Sequence, residues 1–318
     1  MVKNVLITGA NAGLGKETAR QLAANQNIEK IYLGCRNYNK ALIAKRELEE
    51  QTGRAIFDIV DIDVSDLASV NAAVEALPEA VDALVMNAGG TGGARFYERN
   101  SAGVTQIVAV NLLGHVALTN GLLKANKLNK VALYAGSEAA RGVKSMGMKR
   151  PELKNSSVQE FADICEGRLY NHQKDATVPY GPVKYMAALW MSSIAREYPQ
   201  IRFVTMSPGA TTGTEGFDTL SPMRQYMMKG VMQVMLMLGK LHKMEVGAQR
   251  FVDGLLDDKF KSGAFYASES GLTGPLGEQS KLFKDLANVH IQSNARAAIE
   301  SYIAVSYTHL TLPTTYTV

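Results

Sequence analysis

Short apolar runs alternate with stretches of helical periodicity along most of this chain, and that rhythm constrains its fold more than any other feature. VKNVLIT (2–8), IYLGC (31–35), AIFDIVDIDV (55–64), ALVMNAG (83–89), VALYAGS (131–137) and IRFVTMSPG (201–209) are the apolar runs. GKETARQLAAN and the stretch 40–51 are helical segments between them. Strands linked through helices pair in parallel, and strands covered on both faces read as continuous apolar runs rather than alternating ones. The expectation is an α/β fold, a doubly wound parallel sheet with helices on both faces. No internal repeat or low-complexity linker divides residues 1–304, which predicts a single domain. Two stretches break the rhythm. Residues 141–178 are polar, contain Pro151 and read as an irregular insertion. Residues 210–244 hold Met223, Met227, Met228, Met232, Met235, Met237 and Met244, and could form an adaptable lid or an ordinary core or homo-oligomer face.

Composition removes several function classes. Hydrophobic residues make up 46% of the 318 and charged residues 20%, the balance of an ordinary globule. A net charge of +4 with no basic stripe interleaved with aromatics predicts no nucleic-acid partner. Cys35 and Cys165 have no metal spacing, and the five histidines are scattered singly, so no metal site is expected. The opening MVKNVLITGA is too quickly strand-like for a secretion signal, and no apolar run is of membrane-spanning length. The expected location is the cytoplasm. Residues 305–314 read VSYTHLTLPT, with no turn or helix logic tying them to what precedes. They coincide with one reading frame of a transposon-end sequencing adapter. Residues 305–318 are therefore expected to be a non-native tail, with the natural C-terminus missing beyond about residue 304.

Thr8-Gly9-Ala10-Asn11-Ala12-Gly13-Leu14-Gly15 follows the first expected strand and opens a helix. Glycines permit the tight turn and let the backbone approach a pyrophosphate, while the helix N-terminus offers free N–H groups and partial positive charge. That position predicts a dinucleotide site. Ser137 ends the fifth run, and Tyr180-Gly181-Pro182-Val183-Lys184 opens a later helix. The four-residue spacing puts Tyr180 and Lys184 on one helical face. A neighbouring ammonium stabilises a phenolate, so the Tyr180 pKa is expected below the usual value of about 10. Pro182 is accommodated in this reading as a first-turn proline. A second Tyr-x-x-x-Lys copy, Tyr170 to Lys174, lies inside the insertion, and Asp-Ala-Thr-Val-Pro after it does not continue a helix.

The glycine spacing T-G-x-x-x-G-x-G resembles that of the short-chain dehydrogenase/reductase family, built on the Rossmann-type fold. Further motifs carry the resemblance in order: Asp63-Val64 at the end of the third strand, Asn87-Ala88-Gly89 closing the fourth, Asn111 in AVNLLGH, and Pro208-Gly209 after the sixth. The resemblance implies that Asp63 and Val64 contact adenine, that Asn87, Ala88 and Gly89 lie beside the adenosine, and that Pro208 and Gly209 lie near the nicotinamide. It further implies that Tyr180 exchanges a proton with the substrate oxygen, that Ser137 hydrogen-bonds that oxygen, and that Lys184 holds the nicotinamide ribose. Asn111 would fix a helix break and a water in the proton relay. Gly34-Cys35-Arg36-Asn37 ends the second strand without a carboxylate, and the planar guanidinium of Arg36 suits a 2′-phosphate, so NADP(H) is the expected cofactor. The long interval from Ser137 to Tyr180 is similar to that of retinol dehydrogenase-like and protochlorophyllide reductase-like members, which suggests a lipophilic carbonyl or alcohol substrate. Two alternatives remain at this stage, a non-catalytic NADP sensor and a nucleotide-sugar epimerase or dehydratase. The complete Asn, Ser, Tyr and Lys set speaks against the first, and the absence of T-G-x-x-G-x-x-G against the second.

Overall fold

A computed structural model of the chain describes residues 1–91, 93–143, 149–170, 175–211 and 236–310, with the backbone alone at 94 and 305–310. The first half runs β1 (Asn4–Thr8), α1 (Gly13–Ala23), β2 (Lys30–Cys35), α2 (Tyr38–Thr52), β3 (Phe57–Asp61), α3 (Leu67–Ala76) and β4 (Val81–Met86). The second half begins with the long helix α4 (Gln106–Lys124), which contains a π turn at Ala109–Leu113. It continues through β5 (Leu128–Ala135), α5 (Val158–Cys165), α6 (Thr177–Glu197), β6 (Arg202–Met206), α7 (Met244–Leu256), β7 (Ala264–Ser268), β8 (Leu276–Glu278) and α8 (Val289–Leu310).

The strands form one sheet in the order β3-β2-β1-β4-β5-β6-β7-β8. The chain winds outward from β1 through β2 to β3, then returns to place β4 on the other side of β1. That reversal opens a crevice beyond the carboxyl ends of β1 and β4, where ligands of doubly wound sheets bind. All pairings as far as β7 are parallel, and β8 joins antiparallel. The expected all-parallel sheet thus needs a correction at its edge. β7 and β8 are separated by a short loop, which cannot make the crossover that parallel pairing requires.

Each face of the sheet carries its own core. Val5, Ile7, Leu33, Val85 and Leu133 point into one, beneath α1, α2 and α7. Leu6, Leu84, Ala132 and Phe203 point into the other, with Trp190 of α6 and Leu112 of α4. This alternation lets strands that read as continuous apolar runs feed two cores at once. Contrary to the expectation that no apolar run is of spanning length, Gln106–Lys124 is, among the described residues, long and apolar enough to cross a bilayer, and 72% of its apolar window is buried inside the protein. It is the central helix of the second core. Gly114 lets that helix touch the loop after β3, because a Cβ there would overlap the Val64 carbonyl. Gly114→Ala is expected to lower stability by about 1–3 kcal/mol, the usual cost of overpacking. Denaturant unfolding checks this, and a parent-like midpoint would show that the contact yields.

Three further expectations are revised. The stretch 141–178 is not irregular throughout, since α5 buries Phe161, Ile164 and Cys165 against α6 and α8. Ser157-Val158-Gln159-Glu160 is a capping box in sequence. In the structure Ser157 Oγ accepts from the Glu160 N–H at 3.2 Å, while the Glu160 carboxylate accepts from the Lys154, Asn155 and Ser156 N–H groups. At the other end, α8 continues through Leu310, so the first residues of the expected tail are helical. Extending an existing helix costs far less than starting one. Pro182 is the sixth residue of α6 rather than a first-turn residue. Five of the seven methionines named above, Met223, Met227, Met228, Met232 and Met235, lie outside the described residues, as does Lys174.

Candidate active site

The crevice at the carboxyl ends of β1 and β4 is locked by Thr8. Its hydroxyl accepts from the Asn87 and Ala88 N–H groups, both at 3.0 Å, and Asn87 Nδ2 donates to the Thr8 carbonyl at 2.9 Å. Gly9 then turns at φ +67° and Gly13 at φ +54°, conformations that side chains disfavour. A Cβ on Gly15 would meet Gly9 O and Asn87 Nδ2 at 2.5 Å each, whereas one on Gly13 would meet open space. The turn is therefore tight toward the protein and bare toward solvent. Ala12 starts α1 without a side-chain cap, leaving the first N–H groups of the helix, at Gly13, Leu14 and Gly15, to an outside acceptor. Asn11 sits in the same turn, half-buried. This donor set fits a pyrophosphate.

Arg36 is exposed one residue past β2, whose Gly34 carbonyl accepts from the Gly9 N–H at 2.7 Å. The next residue, Asn37, caps α2 by accepting from the Lys40 N–H at 2.9 Å. Asp63 and Val64 lie beyond β3 rather than at its end, since β3 stops at Asp61. The Asp63 carboxylate accepts from Ser65 N–H and Oγ at 2.9 and 2.7 Å, and Val64 is buried against α4.

Asn111, Ser137, Tyr180 and Lys184 come together from α4, the β5 end and α6. Asn111 lies in the π turn, buried, donating through Nδ2 to the carbonyls of Gly90 at 2.7 Å and Ile107 at 2.8 Å, and accepting from the Gly90 N–H at 3.1 Å. A Cβ on Gly89 would stand 2.6 Å from Asn111 Oδ1 and 3.6 Å from Lys184 Nζ, which places the Asn87-Ala88-Gly89 segment against both. Ser137 caps a short turn at Glu138–Ala140, its Oγ accepting from the Ala139 N–H at 3.2 Å. Gly181 lets α6 press on that turn, because a Cβ there would stand 2.9 Å from the Ala139 carbonyl. The close approach sets Tyr180 beside Ser137, whose side chain acts to lower the Tyr180 pKa. Gly181→Ala is expected to slow turnover about tenfold through displaced geometry while keeping cofactor affinity. Steady-state kinetics with a cofactor titration checks it, and equal loss of both would show a wider collapse.

The electrostatics depart from expectation. Burial raises the Tyr180 pKa above its usual value, and the Ser137 hydrogen bond offsets this only in part. Lys184 Nζ stands over the Tyr180 ring, 5.6 Å from its centre, and makes its hydrogen bonds to β5. The ammonium donates to Tyr134 Oη at 3.2 Å and the Ala135 carbonyl at 2.9 Å. Burial pulls its own pKa down to about 7.

Pro208 and Gly209 follow β6 beside Gly136, whose N–H donates to Met206 O at 2.8 Å. Gly209 turns at φ +76°. Residues absent from the motifs complete the site. Buried Glu138 pairs with Arg141, accepts from the Ser268 N–H at 3.0 Å and stands 3.9 Å from Arg250, fixing the turn that carries Ser137. His115 Nε2 hydrogen-bonds the Ala88 carbonyl at 2.7 Å, and burial pushes its pKa down to about 4. Tyr134 donates to the Asn111 carbonyl. Its position in an apolar strand gave no sign of this, since a tyrosine there reads as core.

A family model described as short chain dehydrogenase matches residues 3–132, ending before Ser137. Retinol dehydrogenase 11 of Mus musculus is 37% identical over 128 residues, covering 39% of this chain and 39% of the relative. A short chain dehydrogenase/reductase of Colletotrichum higginsianum is 30% identical over 239 residues, covering 70% of this chain and 57% of the relative. The matches thus span 39% and 57% of these relatives' lengths. Among solved structures, L-sorbose reductase from Gluconobacter frateurii complexed with NADPH and L-sorbose superposes with a TM-score of 0.64. It is 20% identical and covers 86% of this chain and 97% of that one, a likeness of fold.

Proposed function

Because this chain belongs to the short-chain dehydrogenase/reductase family, resembling its retinol dehydrogenases, we propose that it is an NADP(H)-dependent oxidoreductase acting on a carbonyl or its alcohol, with Tyr180 as general acid and base. The observation that carries the proposal is the convergence of Asn111, Ser137, Tyr180 and Lys184 beside Gly89, at the mouth of the crevice that the glycine turn opens. The uncapped α1 N-terminus would hold the pyrophosphate, Arg36 a 2′-phosphate, and the Pro208-Gly209 turn would border the nicotinamide. Bound NADPH would supply the hydride. The residues of this chain handle the proton and the geometry. In carbonyl reduction, Tyr180 gives its phenolic proton to the substrate oxygen, and Ser137 Oγ steadies that oxygen. At the ordinary tyrosine pKa of about 10 the phenol is already protonated near neutrality, the state that an acid needs, and burial keeps it so. In the reverse direction the phenolate takes the alcohol proton, and the Ser137 hydrogen bond stabilises it.

The relatives named for retinol support a lipophilic substrate. Purified protein with NADPH and a panel of retinal, aliphatic aldehydes, ketones, quinones and sugars tests the proposal. NADPH oxidation with stoichiometric alcohol, fastest on the lipophilic members, is expected. Tight NADPH binding with no turnover on any carbonyl would make the chain a sensor instead.

A further inference from the structure

We infer that Tyr134 is a positioning residue of this centre, its hydroxyl aiming Lys184 by linking Nζ to the main-chain carbonyl of Asn111; the inference rests on the oxidoreductase reading above. A phenol has one proton. Tyr134 spends it on the Asn111 carbonyl, so the oxygen lone pair faces Lys184 Nζ, 3.2 Å away. The ammonium has three donors. β5 holds two of them, at Tyr134 Oη and the Ala135 carbonyl, which leaves the third for the cofactor side of the site. The π turn supplies the other anchor, and such turns often mark functional positions.

Packing alone does not account for the hydroxyl. The ring lies edge-on to His115 with centroids 5.9 Å apart, a contact that phenylalanine would keep. The ring centre also lies 4.7 Å from Lys184 Nζ, which phenylalanine would keep too, so what the oxygen alone adds is the hydrogen-bonded link from Nζ to the Asn111 carbonyl. Tyr134 orients and does not relay, because a carbonyl has no proton to pass on. The groups facing Lys184 are Tyr134 from β5, His115 from α4 and Tyr180 from its own helix. None of these is a carboxylate, and burial pulls the Lys184 pKa down, so its hydrogen bonds are what favour the charged form, and Tyr134 accepts one of them.

Tyr134→Phe in the full chain tests this. Single-turnover reduction at saturating NADPH is expected to slow roughly 10- to 100-fold, the weight of a hydrogen bond to a charged group. Lys184 should lose its proton more easily, so the fall in rate with rising pH should begin about one pH unit lower. A loss of packing would slow the reaction without moving that limb. Should the phenylalanine variant fail to fold, 4-fluorophenylalanine placed at position 134 nearly keeps the shape, cannot ionise and is a far weaker acceptor, and it should move the limb the same way. Titration of Lys184 by nitrogen NMR of isotope-labelled lysine reads the same shift without catalysis. An unmoved Lys184 titration overturns the inference. A parent that reduces no carbonyl overturns the oxidoreductase reading, while the NMR titration still decides the role of Tyr134.

Discussion

Tyr180→Phe is expected to slow the chemical step by roughly two to four orders of magnitude, the usual weight of general acid–base catalysis, while NADPH binding stays close to that of the parent. The proposed role of the phenol as the acid rests on its contact with Ser137 and its partial exposure to an incoming substrate. Removing one oxygen leaves the ring, and with it the α6 packing, in place. Lys184→Ala should damage both rate and cofactor binding if its ammonium serves the ribose as proposed. Tyr170 provides the internal control. It ends a short turn at Arg168–Tyr170, packs against the second core, and burial drives its pKa far up. Tyr170→Phe should therefore stay within a few-fold of the parent. Stopped-flow measurement on a reactive aldehyde tests all three, and an active Tyr180→Phe beside an inactive Tyr170→Phe would reverse the assignment.

The sequence made the first half of this architecture legible because each apolar run there is also a strand. β1, β2 and β4 feed both cores, so their composition is forced by position. β7 and β8 escaped notice because AFYAS is short and LGE is only half-buried, and neither follows the strand-helix rhythm. α5 carried a legible signal in Ser157 and Glu160, hidden because its surroundings are polar. Motif spacing placed Tyr180 and Lys184 on one face, yet it could not tell where the ammonium points. That depends on Tyr134 and the Ala135 carbonyl, a contact between β5 and α6 across about 50 residues of chain. The same limit explains the inverted pKa expectation. Proximity along a helix suggested a stabilised phenolate, while burial, a property of the folded site, wins over it.

Arg36→Asp is expected to weaken NADPH binding by about 2–4 kcal/mol, roughly 30- to 1,000-fold, and to leave NADH far less affected. The position makes the prediction sharp. Arg36 stands exposed directly after β2, and the Gly34 carbonyl two residues earlier holds the Gly9 N–H of the glycine turn. A ribose seated at that turn would lie at the end of β2 that carries Arg36. Asn37 fixes the start of α2, so the backbone at Arg36 is held rather than free, and the partial positive charge of the helix N-terminus adds to the guanidinium. Aspartate would remove a charge-assisted contact and set a carboxylate against the phosphate, while offering the acceptor that an unphosphorylated ribose hydroxyl prefers. Fluorescence titration of both cofactors checks the change in their ratio. A variant that keeps its preference for NADPH would move the phosphate contact to another cation, with Lys40 in the first turn of α2 the next to replace.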